Sequence, residues 1–175
     1  MIQYKIADSK EELEKIYNLN YKTFVEEIPQ HAQNATQQLV DRFDQENEYI
    51  IALNEQQELV GMVCIRDQRP FSLDAKLEGL DDLLPEHQKM CEIRLMAVRP
   101  DYRKTGVFRG LVQKLYEIAA PRHYDLALIS GTDRQQDLYK SIGFEVFADP
   151  VGTQEALYYP MYLDIKKIST HPLFV

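Results

Sequence analysis

The spacing of apolar residues changes several times along the chain, and each change predicts an element. Residues 2–7 alternate weakly and predict a first strand. Leu13, Ile16, Tyr17 and Phe24 then recur at helical spacing and mark one buried face. Ser9 and Glu12 give this helix a capping box, in which hydroxyl and carboxylate each meet an orphan N–H. Pro29 closes it, because the residue before a proline is driven out of the α region. The Gln- and Asn-rich stretch 31–39 is expected to be a loop or a short second helix. Two apolar runs, 48–53 and 59–66, joined by the polar stretch 54–58, predict a β-hairpin.

Residues 68–89 are the least regular, with Leu80, Leu83 and Leu84 marking a helical turn or two. Residues 92–98 predict a central strand, and Phe108, Leu111, Val112, Leu115 and Ile118 fit one face of a helix. The unbroken apolar run 126–129 suits a strand covered on both sides. Leu138, Tyr139 and Ile142 form a further helix stripe that Gly143 stops. Residues 144–147 and 156–163 predict a final strand pair, with Pro160 pointing to an edge or a bulge. The order is that of an α/β (α+β mixed sheet) protein. Antiparallel strands come first and a strand–helix–strand crossover follows, with helices flanking the sheet. A single domain over residues 1–165 and a C-terminal tail over 166–175 are expected.

Composition narrows the function. The chain has 175 residues, 45% of them hydrophobic and 27% charged, which excludes a disordered chain. Its net charge of −8 makes nucleic acid and anionic membrane poor general partners. Cys64 and Cys91 cannot build a disulfide framework, and four scattered histidines offer no metal-ligand spacing, so no metal is expected. Early charges and the lack of an apolar segment argue against a signal peptide, and no apolar run approaches the roughly 20 residues that span a bilayer. A cytoplasmic setting without membrane insertion is expected.

Against this acidic background the stretch after the central strand stands out. Between Arg99 and Arg109 lie four basic residues (Arg99, Arg103, Lys104, Arg109) and one acidic residue, Asp101. They sit where a strand runs into a loop that opens a helix, and backbone N–H groups at a helix start already attract anions. Gly106 lets the backbone approach a ligand closely. Together these features suit a diphosphate cradle, although a solvated basic helix start is the plain alternative. Neither a Walker loop nor a dinucleotide fingerprint is present.

Arg103-x-x-Gly106-x-Phe108 resembles motif A of the GCN5-related N-acetyltransferase (GNAT) superfamily, Arg/Gln-x-x-Gly-x-Gly/Ala, with Phe108 in place of the final small residue. Leu138-Tyr139-Lys140-Ser141-Ile142-Gly143-Phe144 is similar to that family's Tyr-x-x-x-Gly-Phe run, and the element order fits nearly throughout. The resemblance implies a single GNAT-like domain that binds acetyl-CoA or a longer acyl-CoA in a V-shaped opening between two central parallel strands. It implies that the pyrophosphate rests on Arg103, Lys104, Thr105, Gly106, Val107, Phe108 and Arg109, and that Met96, Ala97 and Val98 line the pantetheine arm. It makes Glu92 the candidate general base, through water, and Tyr139 the candidate donor of a proton to the thiolate leaving group. The plain alternatives are a rim carboxylate paired with Arg94 and a tyrosine packed in the core. Cys91, beside Glu92, lacks a neighbouring His and is expected to be a buried, inert thiol.

The N-terminal half resembles acyl-homoserine-lactone synthases, through Tyr17 to Phe24, the run Asp41-Arg42-Phe43-Asp44, Tyr49 and Arg66. Asn20, Gln30 and Leu95 replace residues of that pattern and argue against lactone synthesis itself. This resemblance implies a relative that moves a fatty acyl group from acyl carrier protein to an amino acid. Three readings therefore stand: an N-acetyltransferase for a small-molecule amine, an N-acyl amino acid synthase with a carrier-bound donor, and a non-catalytic acyl-CoA binding module. The Pro160 strand and the tail are the segments through which an oligomer could form.

Overall fold

The computed structural model describes residues 1–174. Its strands are β1 (Gln3–Ile6), β2 (Glu48–Leu53), β3 (Leu59–Arg66), β4 (Met90–Val98), β5 (Leu126–Thr132), β6 (Glu145–Val146), β7 (Val151–Thr153) and β8 (Ala156–Asp164). They join in one mixed sheet in the order β1-β2-β3-β4-β5-β8-β6, with β7 also paired to β8. The helices are α1 (Lys10–Tyr21), α2 (Val107–Ala119) and α3 (Gln136–Ile142). The fold is thus the mixed α/β sheet with flanking helices that the hydrophobic pattern predicts. The chain packs as two compact units. Met1–Ile65 with Leu95–Ile118 forms the first, and Arg66–Arg94 with Ala119–Val175 the second.

In the first unit β1, β2 and β3 are antiparallel, and every residue of β3 is buried. Gly61 in β3 sits where a Cβ would lie 2.9 Å from Val107 and 3.0 Å from Leu111, so the lack of a side chain lets the start of α2 lie close on the sheet. Ser9 caps α1 by accepting from the Glu12 N–H. The capping box is shifted by one residue, because the Glu12 carboxylate accepts from the Asp8 N–H rather than from that of Ser9. After Tyr21 the helix widens into a π-helical stretch, Lys22–Glu27, which stops before Pro29 with Ile28 extended. Residues 31–39 form a loop rather than a second helix. The loop is held by Leu39 N–H on the Tyr17 carbonyl at 3.0 Å and by Asn20 Nδ2 on the Leu39 carbonyl at 2.9 Å.

In the second unit β4 and β5 pair in parallel at Met90↔Leu126, Cys91↔Ala127 and Glu92↔Leu128. The irregular stretch 68–89 supplies two short 3₁₀ turns, Ser72–Ala75 and Leu80–Leu83. Their apolar residues explain its sequence: Phe71, Leu73 and Leu80 are buried in one cluster with Met90, Leu126 and Leu128, and Leu77 and Leu84 pack against it.

Two local expectations are corrected. β8 is neither an edge nor bulged at Pro160, since its register with β5 runs unbroken from Asp164 to Tyr158 while β6 and β7 pair on its other side. The Pro160 carbonyl accepts from Phe147 N–H just beyond β6, so its missing donor faces the break between β6 and β7. Leu138 is 40% exposed, whereas Tyr139 and Ile142, three residues apart, turn inward. The expected tail begins as the 3₁₀ turn Ile165–Thr170 with Ile168 buried, and Val175 lies outside the described residues.

Candidate functional site

The loop after β4 is built from several unusual backbone angles. Within β4, Leu95 takes φ 55°, just before Met96, Ala97 and Val98, a left-handed conformation that costs a non-glycine residue about 1 kcal/mol or more. After the short turn Pro100–Tyr102, Lys104 has φ 70° and Gly106 φ 91°. Left-handed residues of this kind occur in turns whose backbone N–H groups form anion-binding concavities, while the Thr105 N–H between them donates to the Tyr102 carbonyl at 3.3 Å. Thr105 closes the turn by donating from its hydroxyl to the Tyr102 carbonyl at 2.6 Å. α2 starts at Val107, and the first turn of a helix offers N–H groups without helical acceptors. Nothing lies within 4 Å of the position a Gly106 Cβ would take, so this part of the loop faces open space. Phe108 is half-buried, and two residues on a Cβ at Gly110 would fall inside the Tyr4 ring, so the helix here lies directly on β1.

The four basic side chains divide into two kinds. Arg99 is held by Asp101 at 2.7 Å and by Glu58 at 3.5 Å. Arg103 donates to both carboxylate oxygens of Glu27, at 2.7 and 2.6 Å, and through Nε to the Val98 carbonyl at 3.0 Å. Lys104 and Arg109 are exposed and hold no ion pair among the described residues. The loop's positive excess therefore rests on two side chains and its backbone dipoles.

Glu92 lies in the second unit and is 1% exposed, so it is not on a rim. One carboxylate oxygen accepts from the Ser72 N–H at 2.9 Å and from the Ser72 hydroxyl. The other accepts from Arg66 Nη1 at 3.3 Å, with Arg94 Nε at 3.8 Å. Arg66 is itself 2% exposed, and its second nitrogen reaches the Pro70 carbonyl at 2.9 Å. A buried charge is tolerated only with such a partner and satisfied hydrogen bonds.

Tyr139 projects from α3 and is 3% exposed. Its ring meets Phe144 edge-on at 5.9 Å, and its hydroxyl lies 3.4 Å from Gln135 Oε1. Burial pushes its phenol well above the ordinary range, so it stays protonated at any working pH. Gly131 on β5 admits it, since a Cβ there would come within 3.1 Å of the Tyr139 ring. Cys91 is 1% exposed, and burial pushes its thiol up to about 12, so it is the inert thiol expected.

The donor-loop residues from Met96 to Arg109 thus lie in the first unit, and Glu92 and Tyr139 in the second, each in its own surroundings. Three partners went unread in the sequence: Glu27 for Arg103, and Arg66 and Ser72 for Glu92. The one signal was Arg66 itself, a charge closing an otherwise apolar strand that needed a buried partner. Among the described residues no group of His, Cys, Asp or Glu could hold a metal ion, and no helix is long and apolar enough to cross a membrane.

The sequence profile of the N-acyl amino acid synthase FeeM matches residues 15–163. The chain belongs to the FeeM family of N-acyl amino acid synthases. No curated protein matches the sequence. Its fold is shared with FeeM from uncultured soil microbes, at 16% identity over 97% of this chain and 94% of that one, with a TM-score of 0.78. It is shared as well with BjaI, a CoA-dependent acyl-homoserine lactone synthase, at 18% identity, 100% and 92% coverage and a TM-score of 0.72. A GNAT-family acetyltransferase from Staphylococcus aureus has the same fold, at 15% identity, 94% and 99% coverage and a TM-score of 0.66. Both resemblances read in the sequence are met in this group, and the FeeM-family chain has an acyltransferase fold. BjaI has been solved with SAM and isopentyl-CoA.

Proposed function

We propose that the protein is an N-acyltransferase that moves an acyl group from a phosphopantetheine thioester to the primary amine of an amino acid. The observation that carries this reading is its membership of the FeeM family over residues 15–163. In the step proposed, the amine nitrogen attacks the thioester carbonyl carbon and a tetrahedral oxyanion forms. It collapses by breaking the C–S bond. The nitrogen gives up a proton, and the departing thiolate takes one.

The backbone of Met96, Ala97 and Val98 hydrogen-bonds the pantetheine arm. The N–H groups of Lys104, Gly106 and the first turn of α2, with the exposed side chains of Lys104 and Arg109, hold the donor phosphate. Glu92 takes the amine proton through water, with Ser72 fixing the carboxylate that receives it. Tyr139 supplies the proton that the departing sulfur takes up, its phenol being protonated when the C–S bond breaks. The donor is acyl-CoA or an acyl carrier protein, since both present the same phosphopantetheine thioester to this loop.

The test offers the purified protein a fatty acyl carrier protein, the matching acyl-CoA and acetyl-CoA, each with a mixture of amino acids and simple amines. Products are read by mass spectrometry. N-acyl amino acids from either long-chain donor are expected. Acetylation of non-amino-acid amines alone would make the protein a small-amine acetyltransferase, a reading that the fold of the Staphylococcus aureus enzyme favours. Saturable donor binding without any product would leave a binding module.

A further inference from the structure

The ion pair between Glu27 and Arg103 joins residues 76 positions apart through two hydrogen bonds, at 2.7 and 2.6 Å. A planar guanidinium matched to both oxygens of one carboxylate fixes orientation as well as distance. Its third bond, from Nε to the Val98 carbonyl, ties the same side chain to the end of β4. Arg103 is thus a staple between β4 and the last residue of the π-helical stretch. The pair is only partly exposed, at 37% and 24% of the two side chains.

The next residue, Lys104, is left-handed without being glycine, and such a conformation persists only where the surroundings over-determine it. The Arg103 staple is the anchor immediately before it. The wide π turn places Glu27 for this contact. A turn of that kind is uncommon and is frequent at functional sites.

We propose that Glu27 is a positioning residue for donor binding: it holds the Arg103 guanidinium to the protein so that the loop meets the donor phosphate with a preformed nest of N–H groups and Lys104. The inference rests on residues 103–109 being the phosphate loop. It assigns to Arg103 a role away from the phosphate, toward Val98 and Glu27. Preformed loops bind more tightly because less ordering remains to be done at the moment of binding.

The experiment titrates coenzyme A and a phosphopantetheinylated carrier protein by calorimetry into wild type, Glu27→Ala, Glu27→Gln and Gly106→Val, using whichever probe wild type binds more tightly. Amide hydrogen exchange of the ligand-free proteins is followed in parallel. Glu27→Ala is expected to weaken binding at least tenfold and to speed exchange at residues 104–107 while β2 and β3 stay protected. Glu27→Gln, which keeps one acceptor for Arg103, is expected to fall between. Unchanged or tighter binding in both Glu27 variants, with Gly106→Val still weakened, would overturn the positioning role and leave the phosphate loop standing. Unchanged binding in all three would overturn the loop assignment itself. Should Glu27→Ala fail to fold, Glu27→Gln decides alone, and wild-type exchange at 104–107 in that variant overturns the proposal.

Discussion

Glu92 is both the proposed base and one half of a buried ion pair, and the two roles predict different losses. Removing Arg66 would strand a carboxylate at 1% exposure, with Ser72 and the more distant Arg94 as its remaining donors. Breaking a buried pair by deleting one partner typically costs about 3–5 kcal/mol. Arg66→Met is therefore expected to lower the urea midpoint sharply. Glu92→Gln keeps the shape and the Ser72 bonds but leaves the buried Arg66 guanidinium without its counter-charge, so its urea midpoint should fall as well, and the folded fraction should still bind donor. Its kcat/KM should drop most near neutral pH and recover as pH rises, because free amine then becomes available without a base. A constant defect from pH 6 to 9 would reduce Glu92 to a structural partner of Arg66. For Tyr139, loss of the hydroxyl removes a general acid, typically worth about 10²- to 10⁴-fold. Tyr139→Phe should cut kcat with little change in stability, since the ring keeps its contact with Phe144. Wild-type turnover, measured where chemistry limits the rate, would return Tyr139 to packing alone.

The elements that announce themselves in sequence are those whose order is local. The 48–66 hairpin, the apolar run of β5 and the Gly143 stop all follow from periods and turn residues, and each lies where the pattern puts it. What stayed hidden depends on partners far along the chain. The carboxylate that neutralises Arg103 is 76 residues away, so the loop's basic excess overstated its free charge. The Pro160 strand is internal because β6 and β7 leave a gap opposite its missing N–H, and a strand's neighbours are not written in its own residues. Gly61 belongs to this class too: within an apolar run it looks like a weak point, yet it admits Val107 and Leu111. Gly61→Val is expected to push the start of α2 off the sheet. Overpacking of this kind typically costs about 1–3 kcal/mol, readable as a lower urea midpoint. Because the donor loop enters α2 at Val107, the same variant should also weaken donor binding. A stable Gly61→Val protein with wild-type donor affinity would show that the loop does not depend on this close packing.

At the scale of the whole molecule, net charge and anchoring carboxylates decide how the fold responds to acid. At pH 7 the chain carries −8, and part of that charge does structural work in the irregular stretch 68–89. Arg69 bridges Asp74 and Asp81, and His87 Nε2 lies 2.8 Å from Asp81. Arg69 and then His87 hold the Asp81 carboxyl down to about 2, and the N–H groups of Lys89 and Gln88, with Lys166, hold Asp125 down to about 2. A carboxyl in an unfolded chain titrates near 3.9, roughly two units higher. The unfolded state therefore takes up protons first as pH falls, and stability must drop across that interval. His87 works in the opposite direction. Burial lowers its pKa, but the Pro85 carbonyl and Asp81 outweigh burial and raise it, so its contribution is full in mild acid and fades as pH rises through the raised value. The urea midpoint should accordingly stay near its best in mildly acidic solution and fall steeply between about pH 4 and 2. Asp81→Asn provides the control. Its deficit against wild type should be widest in mild acid, where carboxylate and imidazolium are both charged. It should close as pH approaches 2, and it should shrink in high salt because the Asp81 carboxylate is half exposed to solvent. A deficit that persists undiminished at pH 2 would mean that Asp81 holds the stretch by shape rather than by charge.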